Sequence, residues 1–523
     1  MTIGNESDQG WVAVDELDSD ITELEVNKAI NKLKQGKAMG VDEIPSEILL
    51  LSKEKILRYL TKLFNKMFQI GYFPVRWGVA IIVPLYKSGD KSQPGNYRGI
   101  SLLSIPSKIF TSVINNRLYN WAENNNKINT EQAGFRRNYS TIDHIYTLHC
   151  MVSNCLYGNK RSKFYVAFID FKKAFDTVRR DKLWQILEKI GVSTRMIKVL
   201  KSMYTSVKAI VRQGYETTNE INCPLGVRQG CMLSPILFTL LIAEVAYSVA
   251  QEGRMGYQFI PDAQEIFALL FADDIVLISQ TPFGLQNQIN NLKKTSVELG
   301  LVVNLMKSKV MVFRKGGYLG SQEKWFLGRE EIEVVNNYRY LGYTLTTKLS
   351  VEIPLAEYAG RAKRKVISIC RTLYKLGKVE PKIFFQLFDA QVRPMMLYAA
   401  EVWGLASSET IQTIEKVSMF ANKKLLGVSN RTPNVLVSAE LNRYTLRIDA
   451  QIRVVKYWAK LLQMDNTRLP RQAYERGKKE HSKEGWVCNL RKLLYNTGYN
   501  YVWDQEGTFF YEKFYKKFKT KAN

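Results

Sequence analysis

The chain has 523 residues, of which 46% are hydrophobic and 24% are charged, a composition typical of globular proteins rather than fibrous or disordered ones. This length exceeds what one hydrophobic core usually supports, so we expect several subdomains. The formal net charge of +26 and the sequence pI of about 9.6 indicate a polyanionic partner. They favour nucleic acid over a small acidic substrate.

Other protein classes are disfavoured by the cysteine, histidine and hydropathy patterns. The six cysteines form no C-x-x-C pair and the three histidines complete no zinc pattern, so free thiols in a reducing compartment are the simpler interpretation. No charged segment followed by an apolar core opens the chain, so secretion is not expected. Ser234, Pro235 and Glu244 interrupt the apolar run at 231–250. This favours a buried helix over a membrane span, and we expect no membrane partner.

Residues 1–78 are predicted to form an acidic leader and a helical extension. The first 27 residues contain acids but no lysine or arginine. Thr22 and Glu25 have the spacing of a capping box, which predicts a helix beginning there and ending near Gly36.

The pattern then changes three times along the chain. Short apolar runs broken by Gly, Pro and Asn over 79–163 predict a hairpin-rich region, and alternating strand and helix patterns over 164–345 predict a mixed sheet backed by helices. From 346 to 470 the pattern is helical, and one predicted helix has an apolar face at spacings of three or four: Tyr358, Ala362, Val366, Ile369, Leu373 and Leu376. Residues 471–523 interleave basic and aromatic side chains, suited either to stacked bases or to completing a core. We therefore predict an α+β fold.

Three aspartates stand where apolar strands should end. Asp273 and Asp274 lie inside the apolar run "IFALLFADDIVLIS", and Asp170 ends another in "YVAFIDFKKAF". If the two strands are neighbours, the carboxylates converge at one edge of the sheet. Buried carboxylates are costly and adjacent ones repel, so divalent cations would be needed to neutralise them. Oxygen ligands without His or Cys favour Mg²⁺, and two such ions could activate a 3′-hydroxyl and stabilise a departing pyrophosphate.

Seven ordered blocks carry a family resemblance that extends from about residue 24 to 460. They are "NYRGISLLS", "EQAGFRRNYSTIDHI", "FIDFKKAFDTV", "GVRQGCMLSPILF", "LLFADDIVLIS", "GLVVNLMKSKVMVF" and "YRYLGYTL". In this order they resemble the reverse transcriptase of LINE-type non-LTR retrotransposons, particularly animal elements. The resemblance implies a right-hand polymerase with fingers at 79–163, a palm at 164–345 and a helical thumb at 346–470.

The resemblance also implies roles for individual residues at the chemical centre. Asp170, Asp273 and Asp274 match the metal ligands, Asp170 and Asp273 being the firmer pair, for two Mg²⁺ ions that Mn²⁺ could replace. Phe175 matches the bulky residue that excludes a 2′-hydroxyl, and Lys307 the lysine that protonates or orients the leaving pyrophosphate. Asp176 is instead predicted to cap the helix that follows it.

Further positions are implied to bind nucleotide or nucleic acid. Gln229 and Gly230 would lie at the nascent base pair, and the nucleotide would also be contacted by Lys87, Arg98 and Arg136. Arg228 could contact the template or form an internal ion pair. The remaining template and primer contacts would come from Tyr338, Tyr340, Gly342, Arg361 and Arg364.

The expected function is that of an RNA-directed DNA polymerase, with an RNA template, a DNA primer or nicked target DNA, and dNTPs. The resemblance places target-primed synthesis in the nucleus, with a cytoplasmic ribonucleoprotein stage. Fewer than about 80 residues precede the first finger block, so an endonuclease would have to come from another domain or protein. One alternative is an RNA-dependent RNA polymerase, against which Phe175 argues. The other is a catalytically silent nucleic-acid-binding protein, against which the three aspartates argue.

Overall fold

A computed structural model describes residues 12–158, 162–251, 255–260, 264–377, 380–479 and 485–506. Residues 1–11 of the predicted acidic leader, and residues 480–484 and 507–523 of the predicted basic aromatic segment, lie outside the described residues. Within them, helices and antiparallel strands are both abundant, and the predicted α+β class is confirmed.

The first described residues form a small helical layer. Its members are α1 (Asp15–Asp18), α2 (Glu23–Asn31), α3 (Ser46–Leu51) and α4 (Lys53–Ile70). The predicted capping box is present, because Thr22 accepts from the Glu25 backbone and Glu25 accepts from the Thr22 N–H at 2.9 Å. The helix stops at Asn31, five residues before the predicted end at Gly36. Arg117 fastens this layer to the next region through a 2.7 Å ion pair with Glu25.

A strand hairpin and two long helices follow. They are β1 (Val79–Tyr86), β2 (Tyr97–Leu102), α5 (Ile105–Asn124) and α6 (Thr141–Tyr157), with short 3₁₀ turns at Val75–Gly78 and Pro94–Asn96. β1 and β2 are antiparallel and place Leu85 opposite Arg98. The hairpin therefore carries Lys87 and Arg98 at the end where its connecting loop lies.

The central region, 164–346, alternates strands and helices as predicted. In chain order its elements are β3 (Phe164–Ile169), α7 (Ala174–Thr177), α8 (Arg180–Lys189), α9 (Thr194–Thr205), β4 (Lys208–Gln213), β5 (Glu216–Thr217), β6 (Ile221–Asn222), α10 (Ser234–Gln251), β7 (Ala268–Phe271), β8 (Asp274–Ser279), α11 (Pro282–Leu299), β9 (Lys309–Phe313), β10 (Trp325–Leu327), β11 (Glu330–Ile332), β12 (Asn337–Tyr340) and β13 (Tyr343–Thr346).

These strands belong to two main sheets. The palm sheet has the order β7-β8-β3-β9 with every neighbouring pair antiparallel. β4 instead pairs in parallel with β1, and β5 and β6 pair with β4, so these three strands extend the finger sheet although they lie within the range predicted for the palm. The predicted domain limits at residues 79, 164 and 346 therefore stay a prediction.

The palm sheet separates two hydrophobic cores. All six residues of β3 are buried. Tyr165, Ala167 and Ile169 join the core formed with α5, α9 and α10, whereas Phe164, Val166 and Phe168 join the core formed with α6 and the C-terminal helices. Since successive strand residues point to opposite faces, a continuous apolar run is what a sheet covered on both sides requires.

The remaining described residues are helical. The elements are α12 (Glu352–Lys375), α13 (Pro381–Gln391), α14 (Arg393–Met396), α15 (Ala400–Trp403), α16 (Ser408–Leu426), α17 (Asn434–Leu441), α18 (Leu446–Leu462), α19 (Leu469–Lys479), α20 (Trp486–Asn496) and α21 (Asn500–Asp504). The predicted apolar face of α12 is buried from Tyr358 to Leu373. Leu376 is an exception, because the helix ends at Lys375 and its side chain is 77% exposed.

One helix among the described residues, α10, is long and apolar enough to cross a membrane by length and composition. Of its residues, 61% are buried inside the protein, and Glu244 on it binds Lys189 at 2.6 Å. A core helix passes the same test of length and hydropathy. The length and hydropathy of α10 therefore do not assign it to a membrane.

The buried carboxylate of Asp143 joins the start of α6 to the C-terminal helices. Asp143 is 1% exposed and accepts from the Ser140 N–H at 3.0 Å, completing a capping box. It also accepts from the Tyr457 hydroxyl at 3.1 Å and forms ion pairs with Lys460 at 3.2 Å and Arg468 at 2.9 Å. One side chain thus connects three segments distant in sequence.

Asp143→Ala should destabilise this junction strongly. The substitution leaves the Arg468 guanidinium, whose side chain is 12% exposed, without its partner, and removing one member of a buried ion pair costs about 3–5 kcal/mol. Denaturation followed by circular dichroism provides the measurement. Asp181→Ala is the control, because Asp181 pairs with Arg179 on the surface, where such pairs contribute about 0–1 kcal/mol. Equal midpoints for the two variants would contradict the structural role of Asp143.

Candidate active site

The three aspartates meet at one edge of the palm sheet. Asp170 directly follows β3, Asp273 lies in the two-residue turn between β7 and β8, and Asp274 begins β8. β3 and β8 are hydrogen-bonded neighbours in which Ile169 is opposite Ile275. The residues that follow Ile169 and precede Ile275 are therefore adjacent, which is the convergence the sequence predicts.

The turn that carries Asp273 has an unusual backbone. Phe271 pairs with Asp274, which leaves Ala272 and Asp273 as the turn residues, and Ala272 has a φ of +58°. For a residue other than glycine, this left-handed backbone conformation costs about 1 kcal/mol or more. It persists only when surrounding contacts impose it. The conformation of the turn that carries Asp273 is thus imposed by its neighbours.

The electrostatics of the site favour a cation. Burial and repulsion from Asp170 raise the pKa of Asp273, although Arg98 and Lys87 act in the opposite direction. Enclosure by the surrounding protein, together with repulsion from Asp273 and Asp170, raises the pKa of Asp274 to about 6. Asp274 is also the most exposed of the three, so water screens part of its charge. A bound divalent cation would remove the repulsion.

The donor set fits Mg²⁺ or Mn²⁺. In the described part of the chain, no group of three or more Asp, Glu, His or Cys side chains is arranged so that it could hold a metal ion by itself. Mg²⁺ does not need such a cage, because it commonly binds one or two carboxylates and completes its shell with water and substrate phosphates. Asp170 and Asp273, which both line the cleft, are the residues that would hold it, with Asp274 beside them.

Asp170 is held in place by a loop that sequence reasoning only partly identified. Its backbone N–H donates to the Ser308 hydroxyl at 3.1 Å, and its carboxylate accepts from the Asn304 amide at 3.0 Å. The Lys307 ammonium lies 3.7 Å from the same carboxylate oxygen. Asn304 and Ser308 were missed, and the available signal was their position on either side of Lys307 in "NLMKSK".

A cleft of about 670 Å³ opens in front of these carboxylates. Its lining contains five of the six residues predicted to bind nucleotide, and also the predicted catalytic Lys307: Lys87, Arg98, Phe175, Gln229 and Gly230 are the five. Lys87 and Arg98 are exposed at the loop end of the β1–β2 hairpin. Cations on one wall and carboxylates on another suit a triphosphate bound with divalent metal.

Phe175 forms a rigid part of the cleft wall. Its ring stacks on Phe238 with centroids 4.6 Å apart and meets the edge of Phe135 at 6.0 Å. Its neighbour Asp176 does not cap a helix, because α8 begins after Arg179 and has no side-chain cap. Asp176 lies in the cleft lining instead, where burial raises its pKa.

The loop containing Gln229 and Gly230 lies tightly against the finger sheet. The Ser101 N–H donates to the Gln229 carbonyl at 3.0 Å. Gly230 has a φ of +106°, and a Cβ there would lie 2.8 Å from the Ser101 carbonyl oxygen. Both the conformation and the close approach require glycine.

Two arginines differ from their predicted roles. The Arg136 guanidinium, predicted to bind nucleotide, makes a two-point ion pair with Glu123, at 2.6 and 2.9 Å, and stacks on Tyr139. These contacts leave its side chain 9% exposed, so it supports the fold. Arg228 lines the cleft, but it donates to the carbonyls of Trp77 at 3.3 Å and Met203 at 3.0 Å. Its role is internal, through carbonyls rather than an ion pair.

The predicted template and primer residues gather only in part. Tyr338, Arg361 and Arg364 line one groove between the β12–β13 hairpin and α12, together with Arg339, which was not predicted. Tyr338 stacks on Phe168 with centroids 4.1 Å apart, and burial raises its pKa to about 12. Tyr340 is 3% exposed and therefore does not reach the groove.

Gly342 has a conformational role in the same hairpin. Leu341 and Gly342, with φ of +46° and +85°, form the two-residue turn between β12 and β13. Consecutive positive φ angles give the twist that such hairpins need. The Tyr398 hydroxyl donates to the Leu341 carbonyl at 2.5 Å, which attaches the turn to the C-terminal helices.

The sequence pattern of the reverse transcriptase (RNA-dependent DNA polymerase) family matches residues 87–345, a segment that includes all three aspartates and Phe175. The chain carries a domain of the reverse transcriptase family. With this match, the expected reverse transcriptase family is confirmed for residues 87–345, and the limits of fingers, palm and thumb stay a prediction.

The chain is similar to proteins of animal mobile elements. The chain is 24% identical to the probable RNA-directed DNA polymerase from transposon BS of Drosophila melanogaster, over 81% of this chain and 46% of that protein. It is 23% identical to the RNA-directed DNA polymerase from mobile element jockey of the same species, over 78% of this chain and 44% of that protein. The chain thus spans about half the length of these relatives. A telomerase structure from Candida Tropicalis, in complex with the TWJ fragment of telomeric RNA, has a TM-score of 0.40 and 12% identity over 90% of this chain and 68% of that chain.

Mn²⁺ binding should depend on the predicted carboxylates even without substrate. We expect Asp170→Asn and Asp273→Asn each to weaken Mn²⁺ binding about tenfold or more, and Asp274→Asn to weaken it less, because loss of a ligand outweighs loss of an exposed neighbouring charge. Electron paramagnetic resonance of free Mn²⁺ provides the measurement. Asp181→Asn, on the surface away from the cleft, is the control, and equal binding by all four variants would remove the carboxylates from the metal site.

Proposed function

We propose that this chain is an RNA-directed DNA polymerase that extends a 3′-hydroxyl primer with dNTPs. The observation that carries the proposal is the cleft itself. Asp170 and Asp273 meet at the palm sheet edge, Lys87 and Arg98 occupy the facing hairpin, and Phe175 forms part of the wall between them. The reverse transcriptase domain at 87–345 supports the same chemistry.

The chain's own residues divide the work of phosphoryl transfer. Asp170, Asp273 and Asp274 would hold two Mg²⁺ ions, which when bound supply Lewis-acid activation of the primer hydroxyl and neutralise charge on the phosphates. Lys87 and Arg98 would bind the triphosphate. Lys307 lies beside Asp170 with 59% of its side chain exposed, so it is free to turn toward a leaving pyrophosphate and donate a proton to it.

Nucleic acid would follow the groove that leads away from the cleft. We propose that an RNA template and a DNA primer, or nicked target DNA, lie along the groove of Tyr338, Arg361 and Arg364. The net charge of +26 supports phosphate contact as the main source of affinity, so binding should weaken with salt. Action on chromosomal DNA in the nucleus, after a cytoplasmic ribonucleoprotein stage, and an endonuclease supplied by another domain or protein, are parts of this proposal.

Asp273→Asn should separate chemistry from binding. Removal of one metal-binding charge is expected to reduce primer extension by about 100- to 1,000-fold, because charge stabilisation in the transition state is lost. RNA affinity should change by less than about twofold, since the basic surface is intact. Extension of a DNA primer on a defined RNA template, with Mg²⁺ or EDTA, provides the measurement, with Asp181→Asn as the control. A wild-type protein that binds RNA tightly but extends no primer would favour the silent binding protein.

Phe175→Ala should relax the choice of sugar. Removal of the ring is expected to lower discrimination against rNTPs by about 10- to 100-fold, because the exclusion of a hydroxyl by the cleft wall is lost. Single-nucleotide incorporation rates with matched dNTP and rNTP pairs provide the measurement. Phe283→Ala, at a side chain 72% exposed outside the cleft, is the control. Unchanged discrimination would place the gate elsewhere, and efficient rNTP use by the wild-type protein would indicate an RNA polymerase.

A further inference from the structure

We propose that Gln132 is a positioning residue that holds the Asp273 turn through the backbone of Ala272. Gly134 makes the contact sterically possible. The inference deepens the proposed function, on which its catalytic consequence rests. Neither residue lies in the lining of the cleft, so their effect is exerted through the turn.

The segment around Gln132 adds a short stretch of pairing to the free edge of β7. The Leu270 N–H donates to the Glu131 carbonyl, and the Ala133 N–H donates to the Leu270 carbonyl, both at 2.9 Å. Gln132 and Leu270 form a parallel bridge. This pairing ends two residues before Ala272 and carries the segment up to the catalytic turn.

The Gln132 side chain completes the contact. It is 2% exposed, and its Oε1 accepts from the Ala272 N–H at 3.2 Å and from the Gly134 N–H at 2.7 Å. The opposite amide orientation would aim the Nε2 hydrogens at two N–H donors, so this orientation is the chemically consistent one. Its Nε2 has no partner, which means that the acceptor oxygen alone anchors the side chain.

Glycine is required at position 134 because the Ala272 backbone lies too close for a side chain, not because of the backbone angles of Gly134. A Cβ at this position would lie 2.1 Å from the Ala272 nitrogen, where no side chain can be accommodated. The absence of a side chain lets the segment approach the turn closely enough for Gln132 to reach it. Gln132 and Gly134 therefore act together on one N–H group.

The functional consequence follows from the position of Ala272. It immediately precedes Asp273 and has a left-handed φ of +58°, which surrounding contacts must maintain. If the Ala272 N–H is released, the turn gains alternative conformations and the Asp273 carboxylate loses its fixed place beside Asp170. Metal binding and the chemical step should suffer, whereas primer–template binding should not.

The experiment compares Gln132→Met with Gln288→Met. Methionine has nearly the length of glutamine but no acceptor oxygen. Gln288 is a matched control because it is also fully buried and also bonds to the strand backbone, donating to the Ile278 carbonyl at 2.7 Å, near the opposite end of β8. Gln288→Met loses its one hydrogen bond to β8, and Gln132→Met loses the bond from the Ala272 N–H together with the local bond from the Gly134 N–H.

Hydrogen–deuterium exchange and metal titration provide the measurements. In Gln132→Met, amides at 271–274 should exchange about fivefold faster. The half-saturating Mg²⁺ concentration should rise, and kcat should fall about 10- to 100-fold, because the carboxylate is misplaced. In Gln288→Met these quantities should match the wild type. Primer–template affinity without Mg²⁺ should be unchanged in both.

The inference is overturned if the two variants show the same exchange at 271–274 and the same Mg²⁺ requirement, or if Gln132→Met weakens nucleic-acid binding instead. Should Gln132→Met fail to fold, Gln132→Glu keeps the acceptor, and faster exchange at the turn in that folded variant would also overturn it. A wild-type protein that extends no primer would refute the proposed function. The exchange comparison and Mn²⁺ affinity would still decide whether Gln132 holds the turn.

Discussion

Mutual repulsion among three carboxylates at one sheet edge is the constraint on which the rest of the structure depends. Two of these groups have raised pKa values because burial and neighbouring negative charge disfavour ionisation. The strands that carry them would separate if they were weakly held. They are instead held by five consecutive antiparallel pairs between β3 and β8 and by hydrophobic cores on both faces of the sheet. The strand pairing and the two hydrophobic cores thus hold the carboxylates close together in spite of their repulsion. A metal ion could bind to carboxylates arranged in this way.

The carboxylates are fixed by neutral donors and backbone contacts, whereas the cations of the cleft are comparatively free. Asp170 is held by Ser308 and Asn304. Lys87 and Arg98 are exposed on a hairpin. Neutral contacts can set the position of a carboxylate without neutralising the charge that a divalent ion requires. Exposed cations retain the freedom to follow a phosphate group that enters and leaves.

Much of this site could be predicted from the sequence because it depends on short-range patterns. An aspartate at the end of an apolar run identifies a strand end, and Asp170, Asp273 and Asp274 do converge there. Position within a motif did not reveal which charges were already paired. Arg136 pairs with Glu123, thirteen residues away, and Arg228 donates to the carbonyls of Trp77 and Met203. These partners lie outside the motifs that contain the arginines, so the motifs do not reveal them.

Two further differences arise from packing between distant segments. β4, β5 and β6 lie within the palm range of the sequence but pair with the finger sheet, because parallel pairing with β1 depends on the path of the chain rather than on composition. Tyr340 lies two residues from Tyr338 on the same strand, and only the three-dimensional contacts show that it is enclosed. Periodicity assigns a face to each residue but does not show where that face meets solvent.

The shape of the groove beside the cleft depends on the same palm sheet and hydrophobic cores. Its Tyr338 wall stacks on Phe168 of the palm sheet, while its arginine wall belongs to α12. Tyr398 joins the β12–β13 turn to α6, because its hydroxyl contacts both the Leu341 carbonyl and, at 3.2 Å, the Thr141 hydroxyl at the start of α6. Two residues further along α6, Asp143 binds Lys460 and Arg468 of the C-terminal helices. Since these contacts are largely removed from solvent, salt should weaken phosphate binding in the groove without altering its width. In the proposed complex, electrostatic affinity and the alignment of the primer end with the aspartates would therefore be controlled by different parts of the molecule.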